Sequence, residues 1–397
     1  MDGKRDRPTI RAYGFIESVT MPKEPEHSRG RVNIVIDGIR IEAISSGMVA
    51  NALDSDLLIV RILSTIKRLD DRFPDAEWEE GSWLELELRD SPGDPPVWIL
   101  SAENGYSGSV ERLNITEAIS LAGNPFSPSP LEQKLINFCQ TSNAVRIDKP
   151  TRPTRRYRGQ GPFVRVVDVG QASFSVLHGE RKIGSPVLGY FDVGGPLFFH
   201  GKSFPKTFNE SSKIPASGFV VLSHWDFDHY SLAVSKLPKL RELSWYAPDQ
   251  PVGPNAAALQ NKLGAKLTLL SVPSYGLLPG IQLWKGQGAR SNRNESGYVL
   301  KITRTGGDVL LCGDLPYSQI PAGIGNQFDA IAITHHGGAA TGAPPFPSPS
   351  GGIAAVSYGK PNRYHHPDPA SIDLHQSAGW SVSPTYLTAK LRGDVWL

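Results

Sequence analysis

The sequence predicts an α/β protein in which a sandwich of β-sheets with outer helices follows a smaller α+β module. Strand signals dominate the second half of the chain, where short apolar runs end in Gly, Asp or His. A basic, Pro-containing stretch, Ile147–Pro162, is typical of a linker and separates this half from a first half of mixed strand and helix signals. Ligand-type residues where strands stop indicate a site built on the strand-end loops.

Length and charge set the domain count and exclude several classes of protein. The chain has 397 residues, enough for two domains. We divide it into an α+β domain of unknown role (1–145), a basic linker (146–162) and a larger domain (163–397). With 41 Lys and Arg residues against 39 Asp and Glu residues, the net charge of +2 is too small to steer the whole molecule toward nucleic acid. The linker arginines could contact phosphates, although such a run is more often a solvated connection.

The sequence also predicts a cytoplasmic protein without a membrane partner. No run of about 18 apolar residues is present to span a bilayer. The N-terminal residues lead into no apolar region of a secretion signal. Two cysteines, Cys139 and Cys312, are too few and too far apart in sequence for a disulfide framework or a zinc ribbon.

In the first half, local patterns predict both strands and helices. Alternation around Asp37-Gly38 predicts a hairpin over Arg31–Ile44. Helical spacing of apolar residues predicts a helix over Ala50–Leu69. The remaining predictions for this half are strands at Trp83–Leu88 and Val97–Leu100 and helices at Thr116–Ala122 and Leu131–Thr141.

In the second half, nine apolar runs predict strands. They are Phe163–Val169, Val187–Val193, Gly218–Ser223, Leu267–Val272, Tyr298–Thr303, Asp308–Cys312, Ala330–Thr334, Ile353–Ser357 and Trp380–Val382. Two helices are predicted, over about Tyr230–Ser235 and over Asn255–Leu263.

The strongest chemical signal is a cluster of metal-ligand residue types directly after the third of these strands. His224, Asp226, Asp228 and His229 alternate with bulky residues within six positions. A tight strand-to-helix turn would point His224 and Asp226 at one ion and Asp228 and His229 at a second. Two ions about 3.5–4 Å apart hold a bridging water, lower its pKa and clamp a phosphoryl group.

Three later strand ends supply more residues of the same kinds. Asp314 follows a glycine that permits a sharp turn, and its carboxylate could bridge two ions. The pair His335 and His336 lies at the start of a Gly-rich loop, and two adjacent histidines are more than the packing of a hydrophobic core requires. A further histidine pair stands beside residues suited to binding a phosphate or carboxylate. These residues are Lys360, Asn362, Arg363, His365 and His366.

Residues from about Phe163 to Leu397 resemble the metallo-β-lactamase fold superfamily and, within it, the hydrolase domain of the competence protein ComEC. The resemblance rests on an ordered set of motifs rather than on any single one. They are Asp168-Val169-Gly170-Gln171, Phe191-Asp192-Val193-Gly194-Gly195, His224-x-Asp226-x-Asp228-His229, Asn294-Glu295-Ser296, Gly313-Asp314, His335-His336-Gly337 and Asn362-x-Tyr364-x-His366-Pro367.

The resemblance implies an αββα sandwich with a two-metal site. It assigns metal ligation to His224, Asp226, Asp228, His229, Asp314 and one of His335 and His336. It also implies that Asp192 and Asn294 support the ligand loops from outside the ligand shell, and that His366 closes the site or touches substrate. Because no histidine lies between His229 and His335, the ligand set is oxygen-rich, so manganese or magnesium competes with zinc.

The main functional hypothesis is a metal-dependent hydrolase of phosphoesters, a nuclease or nucleotide phosphodiesterase that uses a metal-bound hydroxide. Asp228 and His366 are its candidate catalytic residues, and Lys360, Asn362, Arg363 and His365 its candidate substrate contacts. One alternative is a hydrolase of thioesters or other carbonyl compounds, which the same fold supports. Another is a binding or regulatory module with a structural metal, whose N-terminal domain docks a protein partner or nucleic acid.

Overall fold

The computed structural model describes residues 9–20, 30–45, 54–104, 106, 110–121, 128–140, 143–150, 161–196, 198–339, 341–362 and 364–397. The chain divides into two compact units. The first holds residues 1–142 and 251–261, and the second holds residues 143–250 and 262–397. Within the described ranges, no helix combines the length and the apolar character that a membrane crossing needs.

The first unit is built around a closed, six-stranded antiparallel barrel. Its strands are β1 (Ile10–Thr20), β2 (Arg31–Arg40), β3 (Leu57–Thr65), β4 (Trp83–Arg89), β5 (Pro96–Ser101) and β6 (Glu111–Ser120). They pair in the order β1-β2-β3-β5-β6-β4, and β4 closes on β1. Alternate side chains such as Leu58, Val60 and Ile62 fill the barrel. In the part of this unit that the structure describes, three short helices accompany the strands: α1 (Ile41–Ser45), α2 (Ile66–Arg72) and α3 (Pro130–Phe138).

The barrel corrects the predicted hairpin over Arg31–Ile44. Residues of β2 continue straight through Asp37-Gly38, and Asp37 pairs in register with Phe15. Instead of forming a turn, the buried Asp37 carboxylate accepts a hydrogen bond of 2.8 Å from the backbone N–H of Asn255. Asp37 therefore anchors the segment 251–261, which the sequence assigned to the other half of the chain.

Two predicted helices of this unit are also wrong. In Ala50–Leu69, the described residues form β3 followed by α2, and residues 50–53 lie outside the described residues. In Thr116–Ala122, the described residues belong to β6 or follow it. A run buried on both faces of a strand satisfies helical spacing as well, so periodicity alone could not separate the two. The two predicted strands and the helix at Leu131–Thr141, seen as α3, are confirmed.

The second unit contains two large mixed sheets and one two-stranded sheet. The eight-stranded sheet has the order β23-β8-β9-β10-β11-β12-β13-β7. Its strands are β7 (Val145–Ile147), β8 (Phe163–Val166), β9 (Phe174–His178), β10 (Val187–Val193), β11 (Phe219–Val221), β12 (Ser244–Pro248), β13 (Leu267–Leu270) and β23 (Val395–Trp396). Within the predicted linker, residues 146 and 147 belong to β7, and residues 151–160 lie outside the described residues.

The seven-stranded sheet has the order β14-β15-β16-β17-β19-β21-β22. Its strands are β14 (Ser274–Leu278), β15 (Ile281–Lys285), β16 (Tyr298–Arg304), β17 (Gly307–Leu311), β19 (Ala330–Ala332), β21 (Gly352–Val356) and β22 (Trp380–Pro384). The small sheet pairs β18 (Gln327–Phe328) with β20 (Phe346–Pro347). The remaining α-helices among the described residues are α4 (Phe227–Val234), α5 (Pro254–Leu263), α6 (Arg293–Ser296) and α7 (Pro369–Ser377), and residues 254–261 of α5 belong to the first unit. All nine strands and both helices predicted for this half are confirmed.

Side-chain alternation along β17 shows how the layers pack. Val309 and Leu311 point into a core shared with residues of the eight-stranded sheet, such as Phe191. Leu310 points to the opposite face, into a second core that includes Ile372 of α7. Helix α4 packs against β10 of the other sheet. The second unit is therefore the predicted α/β sandwich, in which two sheets share a core and helices pack on the sheets.

Parallel pairing brings the ligand-type residues to common sheet edges. In one sheet β10 and β11 are parallel, and in the other β17, β19 and β21 are parallel. The loops that leave the carboxyl ends of β11, β17 and β19 carry His224, Asp314 and His336. Short strands that run in one direction therefore gather residues that are far apart in sequence.

Candidate metal centre

Helix α4 begins within the motif that the sequence singled out. Asp226 occupies the N-cap position, and Asp228 and His229 lie in the first turn. The helix packs so closely on the end of β10 that a Cβ at Gly194 would lie 1.5 Å from the carbonyl oxygen of Asp228. Glycine at this position therefore permits the close approach that places both ligand candidates.

Three imidazoles each use Nδ1 in a hydrogen bond with the protein. His229 Nδ1 lies 2.9 Å from Asp192 Oδ2, and His336 Nδ1 lies 3.2 Å from the carbonyl oxygen of Ser357. His224 Nδ1 lies 3.0 Å from Ser223 Oγ, whose own proton goes to Asp192. Because these acceptors hold the proton on Nδ1, each ring presents the lone pair of Nε2.

Within the described residues, those Nε2 atoms have no hydrogen-bond partner in a suitable geometry. The Nε2 atoms of His224, His229 and His336 and Oδ1 of Asp314 are buried and make no well-oriented hydrogen bond there. Buried polar atoms of this kind are rare in proteins unless something else satisfies them. A divalent cation is what three imidazole lone pairs and a carboxylate oxygen would satisfy.

Distances between the candidate ligand atoms fit one ion well. His229 Nε2 lies 3.3 Å from Asp314 Oδ1, and His336 Nε2 lies 3.6 Å from Asp228 Oδ2. The cross pairs, His229 with Asp228 and His336 with Asp314, are both separated by 3.9 Å. Zinc bonds of about 2.0–2.1 Å in a tetrahedron place ligand atoms about 3.3 Å apart. These four residues therefore need only a small contraction to surround a cation.

Backbone conformation at the site is unusual. Asp192, His335 and His336 have φ values of 54°, 50° and 54°, in the left-handed region that side-chain-bearing residues rarely adopt. His365, on the loop after β21, has a φ of 60°. Such conformations persist where the surrounding structure fixes them, and they cluster at functional sites.

The charges of the cluster attract one another strongly. Burial alone would raise the pKa of Asp314, but the imidazoles of His229, His335 and His336 lower it well below its usual value. Burial alone would lower the pKa of His229, yet Asp314 and Asp192 raise it well above its usual value. The carboxylates therefore favour positive charge at this place, and a bound cation would supply it in place of protons on the imidazoles.

Asp226 is placed differently from the other members of the motif. Its Oδ1 lies 2.9 Å from Nη2 of Arg293, a buried residue of α6, and its Oδ2 lies 3.4 Å from His224 Nε2. Two sets of three ligand atoms approach closely in the described part of the chain: His224, His229 and Asp314; and Asp228, His229 and His336. Asp226 belongs to neither set.

The buried His366 flanks the cluster. Its ring lies 5.3 Å from that of His335 and 6.2 Å from that of His336, measured between centroids. Burial and these two neighbours lower the pKa of His366 well below its usual value, so the ring is neutral. Its Nδ1 lies 3.0 Å from Nε2 of Gln171, which donates, so the ring proton is assigned to its own Nε2.

The other predicted residues occupy varied positions. His335 is at the border of the cluster, with 42% of its side chain exposed and Nε2 3.8 Å from Asp314 Oδ2. Asn362 donates from Nδ2 to the carbonyl oxygens of Gly359 and His366 and accepts from His366 N, so its amide holds the loop. Lys360 and His365 are exposed on that loop, Asn294 is half-buried in α6, and Arg363 lies outside the described residues.

Three residues at the cluster have no role that the sequence predicts. Ser223 links His224 to Asp192, Gln171 orients His366, and Arg293 binds Asp226. Ser223 and Gln171 each lie within a motif, but their partners are not visible in the sequence. Arg293 directly precedes Asn294, and no local pattern pairs it with Asp226.

Comparison with known proteins shows a likeness in structure but none in sequence. No protein-family model matches the chain, and no curated protein matches it. Among solved structures, the chain is similar to zinc-bound PqqB from Methylobacterium extorquens, a metallo-β-lactamase-fold protein. The two are 13% identical with a TM-score of 0.33, over 59% of this chain and 99% of PqqB.

The residues present fit a metal ion. Buried imidazole nitrogens with fixed tautomers converge with the buried Asp314 carboxylate and the half-buried Asp228 carboxylate at the strand ends of an α/β sandwich. These features, and not the likeness to PqqB, identify the cluster as a place for a cation. The cluster therefore fits a divalent cation, and the chemistry of its ligands suits metal-dependent hydrolysis.

Proposed function

We propose that this chain is a metal-dependent phosphodiesterase whose substrates are nucleic acids or nucleotides. The observation that carries the proposal is the convergence of His224 Nε2, His229 Nε2 and Asp314 Oδ1, each buried without a good partner among the described residues. Zinc and manganese are the proposed ions, because the set mixes imidazole nitrogens with carboxylate oxygens.

A bound divalent ion supplies Lewis acidity, which activates water and offsets charge on a phosphoryl group. Asp228, His229, Asp314 and His336 would hold this ion, with His224 adjacent. His336 and His229 lower the pKa of Asp228, so this residue serves as an anionic ligand and not as a proton carrier at neutral pH, although burial opposes the shift. This role differs from the catalytic one that the sequence predicted for Asp228.

His366 is the proposed catalytic residue that faces substrate. Because its Nδ1 accepts from Gln171, its Nε2–H is available to donate to a phosphoryl oxygen. The exposed Lys360 on the same loop adds positive charge where an anionic substrate would approach. Together these groups favour a phosphoester over an uncharged carbonyl substrate.

The test is a substrate panel with and without metal. We expect single-stranded DNA, duplex DNA, RNA or a cyclic dinucleotide to be cleaved with added manganese or zinc, and not after chelation. Asp314→Asn should reduce this turnover at least about 100-fold, since the carboxylate lies in the cluster. Asp329→Asn is the matched control, because Asp329 accepts a backbone hydrogen bond from Asp308 at the opposite, amino-terminal end of the parallel strands.

Two outcomes would overturn the phosphodiesterase proposal. Metal-dependent cleavage of thioesters or other carbonyl compounds alone would show that the chain does not hydrolyse phosphoesters. Tight metal binding without hydrolysis of any substrate in either panel would make the site structural.

A further inference from the structure

The pairing of Asp226 with Arg293 separates the cluster into two unequal halves. On one side, four nitrogen–oxygen distances of 3.3–3.9 Å link His229 and His336 to Asp228 and Asp314, and Asp228 contributes both of its carboxylate oxygens. On the other side, His224 faces Asp226 at 3.4 Å, and Asp226 forms an ion pair of 2.9 Å with a cation that the protein itself provides, without a well-oriented hydrogen bond among the described residues.

Arg293 is well placed to supply a permanent positive charge to Asp226. Its side chain is 5% exposed, and that of Asp226 is 12% exposed, so the ion pair is largely removed from water. A guanidinium cannot lose its charge at physiological pH, and a buried carboxylate paired with it gains little from a second cation. Gln250 fixes the backbone of α6 by donating from Nε2 to the carbonyl oxygen of Arg293 at 2.7 Å.

We propose that Arg293 takes the place of one of two metal ions. In this arrangement the chain holds a single tightly bound divalent ion at Asp228, His229, Asp314 and His336, and the guanidinium supplies the second positive charge beside Asp226. The inference rests on the proposed function, because it concerns the same site, but it differs from the two-ion site that the sequence predicted.

Metal content and manganese spectroscopy test the inference without an activity assay. After equilibrium dialysis against zinc or manganese, the wild-type chain should contain one ion, with the six-line electron paramagnetic resonance spectrum of isolated Mn²⁺. Arg293→Gln should take up a second ion, with affinity at least tenfold higher than any second site of the wild type. Its Mn²⁺ spectrum should show two coupled ions.

Two controls separate charge from packing. Arg293→Lys keeps a cation beside Asp226 and should stay at one ion. Arg290→Gln removes an exposed arginine that binds Asp249, and it should also stay at one. If Arg293→Gln fails to fold, Asp226→Asn serves instead: it should keep one ion with affinity within about threefold of the wild type.

The outcomes distinguish this inference from the proposed function. Two wild-type ions of similar affinity, a count that stays at one in folded Arg293→Gln, or loss of an ion in Asp226→Asn would each overturn the Arg293 assignment. Any of these results would leave metal-dependent hydrolysis standing. A wild-type chain that binds no divalent ion would overturn both.

Discussion

The carboxylate of Asp192 accepts a hydrogen bond of 2.9 Å from Nδ1 of His229, and both side chains are fully buried. The same carboxylate accepts two hydrogen bonds from Ser223, one from the backbone N–H at 2.8 Å and one from the hydroxyl at 2.9 Å. Ser223 in turn holds His224. One carboxylate therefore fixes the orientation and tautomer of two metal-ligand candidates.

Asp192→Asn should weaken metal binding about 10–100-fold, the range seen when a group that orients a metal-ligating histidine is lost. An amide presents a donor where the carboxylate accepts, so His229 would lose its fixed tautomer. Metal titration gives the affinity, and nitrogen NMR of the imidazoles reports the tautomer. Asp329→Asn, which also replaces an acceptor of a backbone N–H, should leave both readouts unchanged. Equal affinities for Asp192→Asn and the wild type would contradict the positioning role.

The neighbouring histidines His335 and His336 should differ in their importance for metal binding. His336 is buried, with Nε2 3.6 Å from Asp228 Oδ2, whereas His335 is 42% exposed at the border. We expect His336→Ala to lose at least about 100-fold in metal affinity and His335→Ala to lose less than about tenfold. Both residues have positive φ, so backbone effects are matched. The reverse order in calorimetric titration would assign the ligand to His335.

Gly194→Ala should disturb the site without changing any ligand. The added methyl group would lie 1.5 Å from the Asp228 carbonyl oxygen, and because that atom belongs to the backbone, the first turn of α4 must move. We expect a lower denaturation midpoint, a cost of about 1–3 kcal/mol, and weaker metal binding. Gly306→Ala, where a methyl group meets no atom within 4 Å, is the control. Unchanged metal affinity in Gly194→Ala would show that α4 tolerates the shift.

A buried ion pair away from the metal centre should make the second unit sensitive to acid. Arg165 Nη2 lies 2.7 Å from Glu210 Oε2, and both side chains are buried. Burial alone would raise the pKa of Glu210, but Arg165 and Lys213 lower it below its usual value of 4.5. The stabilisation is therefore fully present above pH 4.5 and is lost as the pH falls through the lower pKa of the folded state.

Glu210→Gln should cost about 1–3 kcal/mol at pH 7, because it removes one carboxylate partner of the buried Arg165 while Asp394 remains paired with it. It should also reduce the loss of stability below pH 4.5 relative to the wild type. Hydrogen exchange of β8 and β9 measures both effects within this unit. Glu242→Gln, at an exposed position, should change the stability by less than about 0.5 kcal/mol. An acid response of Glu210→Gln equal to that of the wild type would exclude this carboxylate as its source.

Local patterns predicted much of the second unit because its strands are short and buried. The run Leu310-Leu311-Cys312 supplies apolar residues to both faces of a sheet, and the polar end Gly313-Asp314 follows it. This pattern can be seen in adjacent residues, without knowledge of any distant contact. The first unit was harder, because β3 is buried on both faces and its apolar residues also fit helical spacing. Barrel closure between β1 and β4 pairs segments that are far apart in sequence and depends on no local pattern.

The sequence by itself determined the kinds of ligand, their order along the chain and the strands that deliver them, because each of these depends on adjacent residues. Only the tertiary structure decided that Arg293 binds Asp226, that Asn362 binds backbone, and that His336 rather than His335 turns inward. These outcomes depend on which loops meet at a shared sheet edge. They also depend on which polar side chains are buried there and must find hydrogen-bond partners.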